Sequence, residues 1–241
     1  KEYHVSLSTS VPRGHGTGSG SGSSQSTVAT QPPLQNTGSS YNPTSNKYVV
    51  STLGHLSFIA QNYSYWDKHF IQTANIDATV TKYWDDADDT GGVSGDIYND
   101  DNDATSTGNN EGFLPIGNNS IKFTGEYDGA GYSIENLTIN RPNTSRYIGL
   151  FEYADGATIR NLSVTNDNIT GKLRTGSLVG YSKNSIIDNS SASGSVTGTR
   201  YLGGLVGLVQ SGTSIRNSYC TASVVGSLYY VGGLVGFISS S

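Results

Sequence analysis

The chain has no methionine, one cysteine and six prolines among its 241 residues, and only 14% of them are charged. The single cysteine, Cys220, excludes an intramolecular disulfide framework. Nowhere does an apolar run approach the roughly 18 residues that a membrane-spanning helix requires, so no membrane span is expected. A net charge of -5 without any Lys/Arg cluster argues against nucleic acid as a partner. The four histidines, His4, His15, His55 and His69, show no H-x-H or H-E-x-x-H spacing. Neither a zinc site nor a Ser/His/Asp triad is therefore indicated.

What the chain does have is a repeat. GGLVG occurs at Gly203 to Gly207 and at Gly232 to Gly236, with degraded copies GSLVG at Gly176 and IGLFEY at Ile148. Aligning the copies places Leu150, Leu178, Leu205 and Leu234 in one column, spaced 28, 27 and 29 residues apart. Ile159, Ile187 and Ile215 form a second column, each followed two places on by Asn161, Asn189 or Asn217. Gly171, Gly198 and Gly226 form a third. Three columns at one period mark a repeat architecture whose layers bury their apolar faces only against one another.

Each unit consists of short β-rich pieces such as SLVGY and SIIDN, separated by Gly, Ser, Asn and Thr, with no helical stripe. The expected fold is all-β: a β-solenoid, with three short strands per turn and successive turns about 4.7 to 4.9 Å apart. An asparagine at the same place in every layer can donate to one neighbour and accept from the other, which predicts an amide ladder. Adjacent Leu and Val in GGLVG cannot face the same way in a regular strand. The flanking glycines, free to adopt positive φ, are expected to make a corner or bulge there.

These residues resemble the GLUG repeat of bacterial secreted and cell-surface proteins. The similarity extends upstream through YVVSTLGHLSFIAQN, HFIQTANIDAT, GFLPIGN and FTGEYDGAGYSIENLTI, so it covers about Lys47 to Phe237. The resemblance implies a secreted or surface location and an adhesin-like structural or binding role, with a ligand on a host or neighbouring cell. It carries no catalytic residues.

Three regions follow. Residues 1–46 read as a flexible leader, in which 11–24 join a thrombin-like cleavage sequence to a Gly/Ser linker in the manner of an engineered tag. Residues 47–145 read as an N-terminal cap with first solenoid strands. It includes a short helix capped by Ser51, whose apolar stripe is Leu53, Leu56, Ile59 and Ala60, and an acidic insertion at 85–111. Residues 146–241 are the repeats, the last of them incomplete. Its open edge is expected to continue into further repeats or a cap, or to self-associate by pairing with Tyr3 to Leu7 or a neighbouring molecule.

The insertion holds nine of the chain's 19 acidic residues and no Lys or Arg. Asp86, Asp88, Thr90 and Gly91 fit the first half of a calcium loop, in which oxygen ligands two apart converge on a hard cation. Ile97 stands where the bidentate glutamate belongs, leaving Asp96 or Asp100 to substitute; the plain alternative is a solvated acidic loop. Glu152, Asp155, Asp167 and Asp188 fall in different columns, which disfavours a polysaccharide hydrolase or lyase. Aromatics weighed as sugar platforms are Tyr63, Tyr65, Trp66, Tyr83 and Trp84 in the cap, and Tyr201, Tyr229 and Tyr230 before GGLVG. Covering exposed sheet and cap hydrophobics is the alternative role for them. If the insertion is a calcium site, titration calorimetry should register calcium heat that Asp86→Asn and Asp88→Asn abolish, and a thermally silent unmodified protein removes the site.

Overall fold

The computed structural model describes residues 47–84, 111–143 and 147–239. All named strand pairings are parallel, as expected when one coil of chain lies on the next. Four turns are stacked in the four-stranded sheet formed by Phe151–Asp155, Val179–Lys183, Val206–Gln210 and Val235–Ser239. A six-stranded sheet runs from Lys47–Val50 through His69–Gln72, Glu126–Asp128, Thr158–Arg160 and Ile186–Asp188 to Ser214–Arg216. A seven-stranded sheet is centred on Ser163–Gly171 and Ser191–Gly198. The repeat unit has one more strand than the three expected. Leu173–Thr175, Arg200–Gly203 and Val231–Gly232 make a short sheet of their own between the seven-stranded and four-stranded ones.

The predicted columns line the interior. Leu150, Leu178, Leu205, Ile159 and Ile187 have no accessible surface, and the last rungs, Leu234 and Ile215, pack against the same core. Val164, Ala192 and Cys220 stack in register, so Cys220 is a half-buried core residue; burial pushes its thiol up, against reactivity.

GGLVG is a bulge, as its adjacent apolar pair required. The amides of Leu205 and Val206 both donate to the Leu234 carbonyl, at 3.0 and 3.1 Å, so two residues face one and both side chains turn inward. Leu178 and Val179 repeat this against Leu205. The glycines serve a different purpose from the one expected, since Gly203 and Gly204 are outside the left-handed region. They are needed for space: a Cβ on Gly203 would stand 2.1 Å from the Val206 carbonyl oxygen, and one on Gly204 2.3 Å from Cys220 Sγ. The left-handed residues of this corner are Arg174, Tyr201 and Tyr230.

At the N-terminal end the helix spans Leu53–Gln61 and adds Leu56, Ile59 and Ala60 to the core. Its cap is Thr52, whose hydroxyl accepts from the His55 amide at 3.2 Å, and not Ser51, whose amide instead donates to His55 Nδ1. Phe70, Phe123, Tyr127 and Phe151 pack in series where cap meets coil. After the helix the cap continues as two short strands, His69–Gln72 and Ile76–Asp77, with a bend between them. No helix among the described residues is long and apolar enough to cross a membrane.

The inner columns should dominate stability. Leu205→Ala is expected to cost about 2 to 5 kcal/mol, as for other fully buried leucines, and Tyr201→Ala clearly less; urea melts that rank them the other way would invert the assignment of inside and outside.

Candidate functional site

Polar ladders run along the coil beside the core. Asn189 Nδ2 donates to Asn161 Oδ1 at 2.9 Å, and Asn161 Nδ2 to Asp128 Oδ1 at 2.9 Å. Asn217 leaves the expected pattern by donating to Asp188, and Asn136 belongs to a separate ladder in which Asn166 donates to it and it donates to Asp77. These asparagines sit at positive φ, a conformation they tolerate better than most residues. One place earlier, Asp128, Arg160, Asp188 and Arg216 occupy a single register column of alternating sign. Arg160 bridges Asp128 and Glu126 at 2.9 and 2.8 Å, and Lys47 reaches Glu126 at 2.7 Å. Although burial would raise the Glu126 carboxyl, the hydrogen bond from Lys47 and the charges of Lys47, Arg160 and His69 hold it below the usual carboxylate range. Such a charge-locked pair is a poor general acid.

The four carboxylates weighed in the repeats lie on three sheets: Glu152 and Asp155 on the four-stranded, Asp167 on the seven-stranded and Asp188 on the six-stranded. Asp167 follows a bulge opposite Gly194 and turns inward, where it is 3% exposed. Its Oδ1 accepts from the Ser195 amide at 3.2 Å, while Oδ2 has no hydrogen-bond partner. Burial pushes this carboxyl up to about 7; the Ser177 hydroxyl, close but outside hydrogen-bonding geometry, and the Ser195 amide offset part of the rise.

Cap aromatics separate into two groups. Trp66 and Trp84 are buried: the Trp66 indole donates to the Ile59 carbonyl at 2.7 Å, and Trp84 stacks on Phe113. Tyr65 packs edge-on against Tyr48 and Phe58. Tyr63 and Tyr83 remain exposed, at 63% and 52%. Tyr63 stands at a cleft of about 450 Å³ between the cap and the first turn, whose lining includes Trp66, Asp67, Ile121, Lys122 and Asp155. Sequence reading gave no hint of this cleft, because its two sides are more than 50 residues apart along the chain.

From the cleft an aromatic strip continues along the coil. Lys122 lies over the Tyr153 ring at 5.5 Å, Tyr153 and Tyr181 pack at 4.4 Å, and Tyr147 packs against both. Arg174 comes next, its guanidinium 5.2 Å from the Tyr147 ring and 5.5 Å from Tyr201. Tyr201 stacks on Tyr230 at 5.1 Å with planes 5° apart, and Phe237 closes against both. One face of Tyr201 and one of Tyr230 are taken up by stacking on each other, while Tyr230 stays 46% exposed. Tyr229 is half exposed and holds Arg200 by its hydroxyl at 3.1 Å. A signal for the strip was present in the sequence: Tyr147, Arg174, Tyr201 and Tyr230 each stand two places before the first glycine of a copy.

Asp86, Asp88, Thr90 and Asp96 lie outside the described residues. Among the described residues no three His, Cys, Asp or Glu side chains converge as metal ligands.

The family described as "The GLUG motif" matches residues 172–197, which run from just before the short-sheet strand Leu173–Thr175 through one inner turn into Ser191–Gly198. The chain carries the GLUG motif. Over 163 residues, 67% of its length, this GLUG chain is 35% identical to halomucin of Haloquadratum walsbyi. Over 126 residues, 52% of its length, it is 34% identical to a protein of Evansella cellulosilytica provisionally named a Gly-rich membrane protein. It spans only 2% and 12% of those two proteins. A solved structure from Bacteroides ovatus, provisionally titled an immunoglobulin A1 protease, superposes with a TM-score of 0.55 over 82% of this chain and 63% of its own, at 16% identity. That likeness concerns the fold.

Asp167 supplies a pH test. Between about pH 4 and about 7 the folded state retains a proton that the unfolded chain has released, so this group makes stability fall across that window and level off above it. Asp167→Asn should therefore stabilise by on the order of a few kcal/mol at mildly alkaline pH and by little at pH about 4. Chemical melts showing no gain at the alkaline end would remove Asp167 from the interior.

Proposed function

We propose that the chain is a non-catalytic, adhesin-like module of a secreted or surface protein, and that it holds an extended glycan in the cap cleft and along the aromatic strip beyond it. The names of the relatives, halomucin and a Gly-rich membrane protein, support a surface or membrane-associated setting. The carrying observation is the cleft itself, where an exposed Tyr63 ring and Ile121 adjoin Asp67, Lys122 and Asp155 in one concavity opening toward Tyr153. An aromatic face beside hydroxyl, carboxylate and ammonium groups suits a sugar, which is apolar on its ring faces and polar at its rim. Arrangement of the acids supports binding without cleavage: Asp67 is paired with Lys68 at 2.9 Å, Asp155 accepts from Asn184 at 3.0 Å, and Asp167, lifted toward neutrality, lies inside the coil.

A glycan array probed with the purified chain should show retained polysaccharides. Tyr63→Ala, at an exposed position, should weaken them about tenfold with the melting temperature unchanged. No reducing ends should be released. An array with no bound glycan overturns the reading, and so does reducing-end release that disappears on changing Asp67 or Asp155.

A further inference from the structure

The charge of this chain is segregated along the coil. From Asn168 to Ser241 it carries Lys172, Arg174, Lys183, Arg200 and Arg216 against a single acid, Asp188, which Arg216 pairs at 3.2 Å. No acidic residue occurs in the short sheet of Leu173–Thr175, Arg200–Gly203 and Val231–Gly232. Arg174 is the particular case within it. Its guanidinium lies between the Tyr147 and Tyr201 rings, and among the described residues it has neither a carboxylate partner nor a hydrogen bond. A guanidinium held beside two rings and paired with no carboxylate keeps its planar N–H fork for another partner, and that fork suits a planar or tetrahedral anion. Its backbone is at φ 51°, an unfavourable setting for a long side chain that glycine or asparagine would have relieved. Arg200 also lies over Tyr201, and over Tyr229, and Lys172 is exposed just before the strand Leu173–Thr175.

Resting on the glycan reading above, we infer that the glycan is acidic, and that Arg174 receives its carboxylate or sulfate group with Lys172 and Arg200 at the flanks. The aromatic edges and hydroxyls of Tyr147, Tyr201 and Tyr230 border the anion site on both sides, so the ligand offers sugar rings as well as charge. A polyanion lacking rings fits it poorly.

The test uses the whole chain against four probes: an acidic polysaccharide bearing uronate groups, a sulfated one, a neutral polysaccharide of similar length, and poly-aspartate. At least one acidic polysaccharide should bind tenfold or more tighter than the neutral one and than poly-aspartate. Arg174→Gln should remove that advantage, a loss of about tenfold for one charged hydrogen-bonded contact, bringing the acidic probe down to the affinity of the neutral one. Because Arg174 also stacks, Lys172→Ala serves as a second variant at an exposed position, expected to weaken the acidic probe severalfold without moving the melting temperature. Neutral and acidic polysaccharides binding equally, or poly-aspartate binding as well as the acidic glycans, would overturn the inference while leaving the glycan or surface reading to its own test. Binding to no polysaccharide would overturn both.

Discussion

Every position in a coiled parallel sheet lies against its own counterpart in the next turn at about 4.8 Å. A residue is therefore admitted only if it is tolerable next to whatever occupies its column, and this constraint accounts for most of the chain. Apolar columns meet it by packing, as Leu150, Leu178 and Leu205 do with no accessible surface. Amide columns meet it because one asparagine is both donor and acceptor, so Asn189 can donate to Asn161. Ionised columns cannot repeat one sign, so Asp128, Arg160, Asp188 and Arg216 alternate. Aromatic columns meet it by stacking, with a guanidinium as an acceptable substitute for a ring.

The same constraint decides what could be read from sequence. Where a column repeats one residue type, as in the Leu, Ile, Asn and closing-glycine columns, the period is visible and the interior could be assigned. Where a column is filled by complementary types, it is hidden: Asp, Arg, Asp, Arg does not look like a repeat, nor does Tyr, Arg, Tyr, Tyr. The charge column was further obscured because Asp128 and Arg160 are separated by more than one period. The bulge at GGLVG was legible because two adjacent apolar residues cannot share one face of a regular strand. The role of its glycines was not, since crowding by the Val206 carbonyl and Cys220 is a contact between parts of the fold that composition does not report.

The cleft at the cap was invisible for a related reason. It lies outside the repeat, where no column relates one position to another, and forms only when Tyr63 and Ile121 are brought together by packing around Trp66 and Phe123. Trp66 illustrates the ambiguity of an aromatic in a cap sequence: it is buried in the core, also lines the cleft, and its indole is spent on the Ile59 carbonyl. On the proposed reading, the ligand-bearing surface lies in the cap, outside the period, and in the Tyr and Arg rungs, where one column mixes residue types.

The alternating column also bears on how the coil assembles in order. Turns so similar in shape could skip, with a strand docking on the turn beyond its proper neighbour and still burying leucine against leucine. A skip of one turn would bring either Asp128 against Asp188 or Arg160 against Arg216, losing the opposite-charge neighbours of the omitted turn and gaining a like-charge pair. The charges thereby give each turn an address that its hydrophobic core lacks.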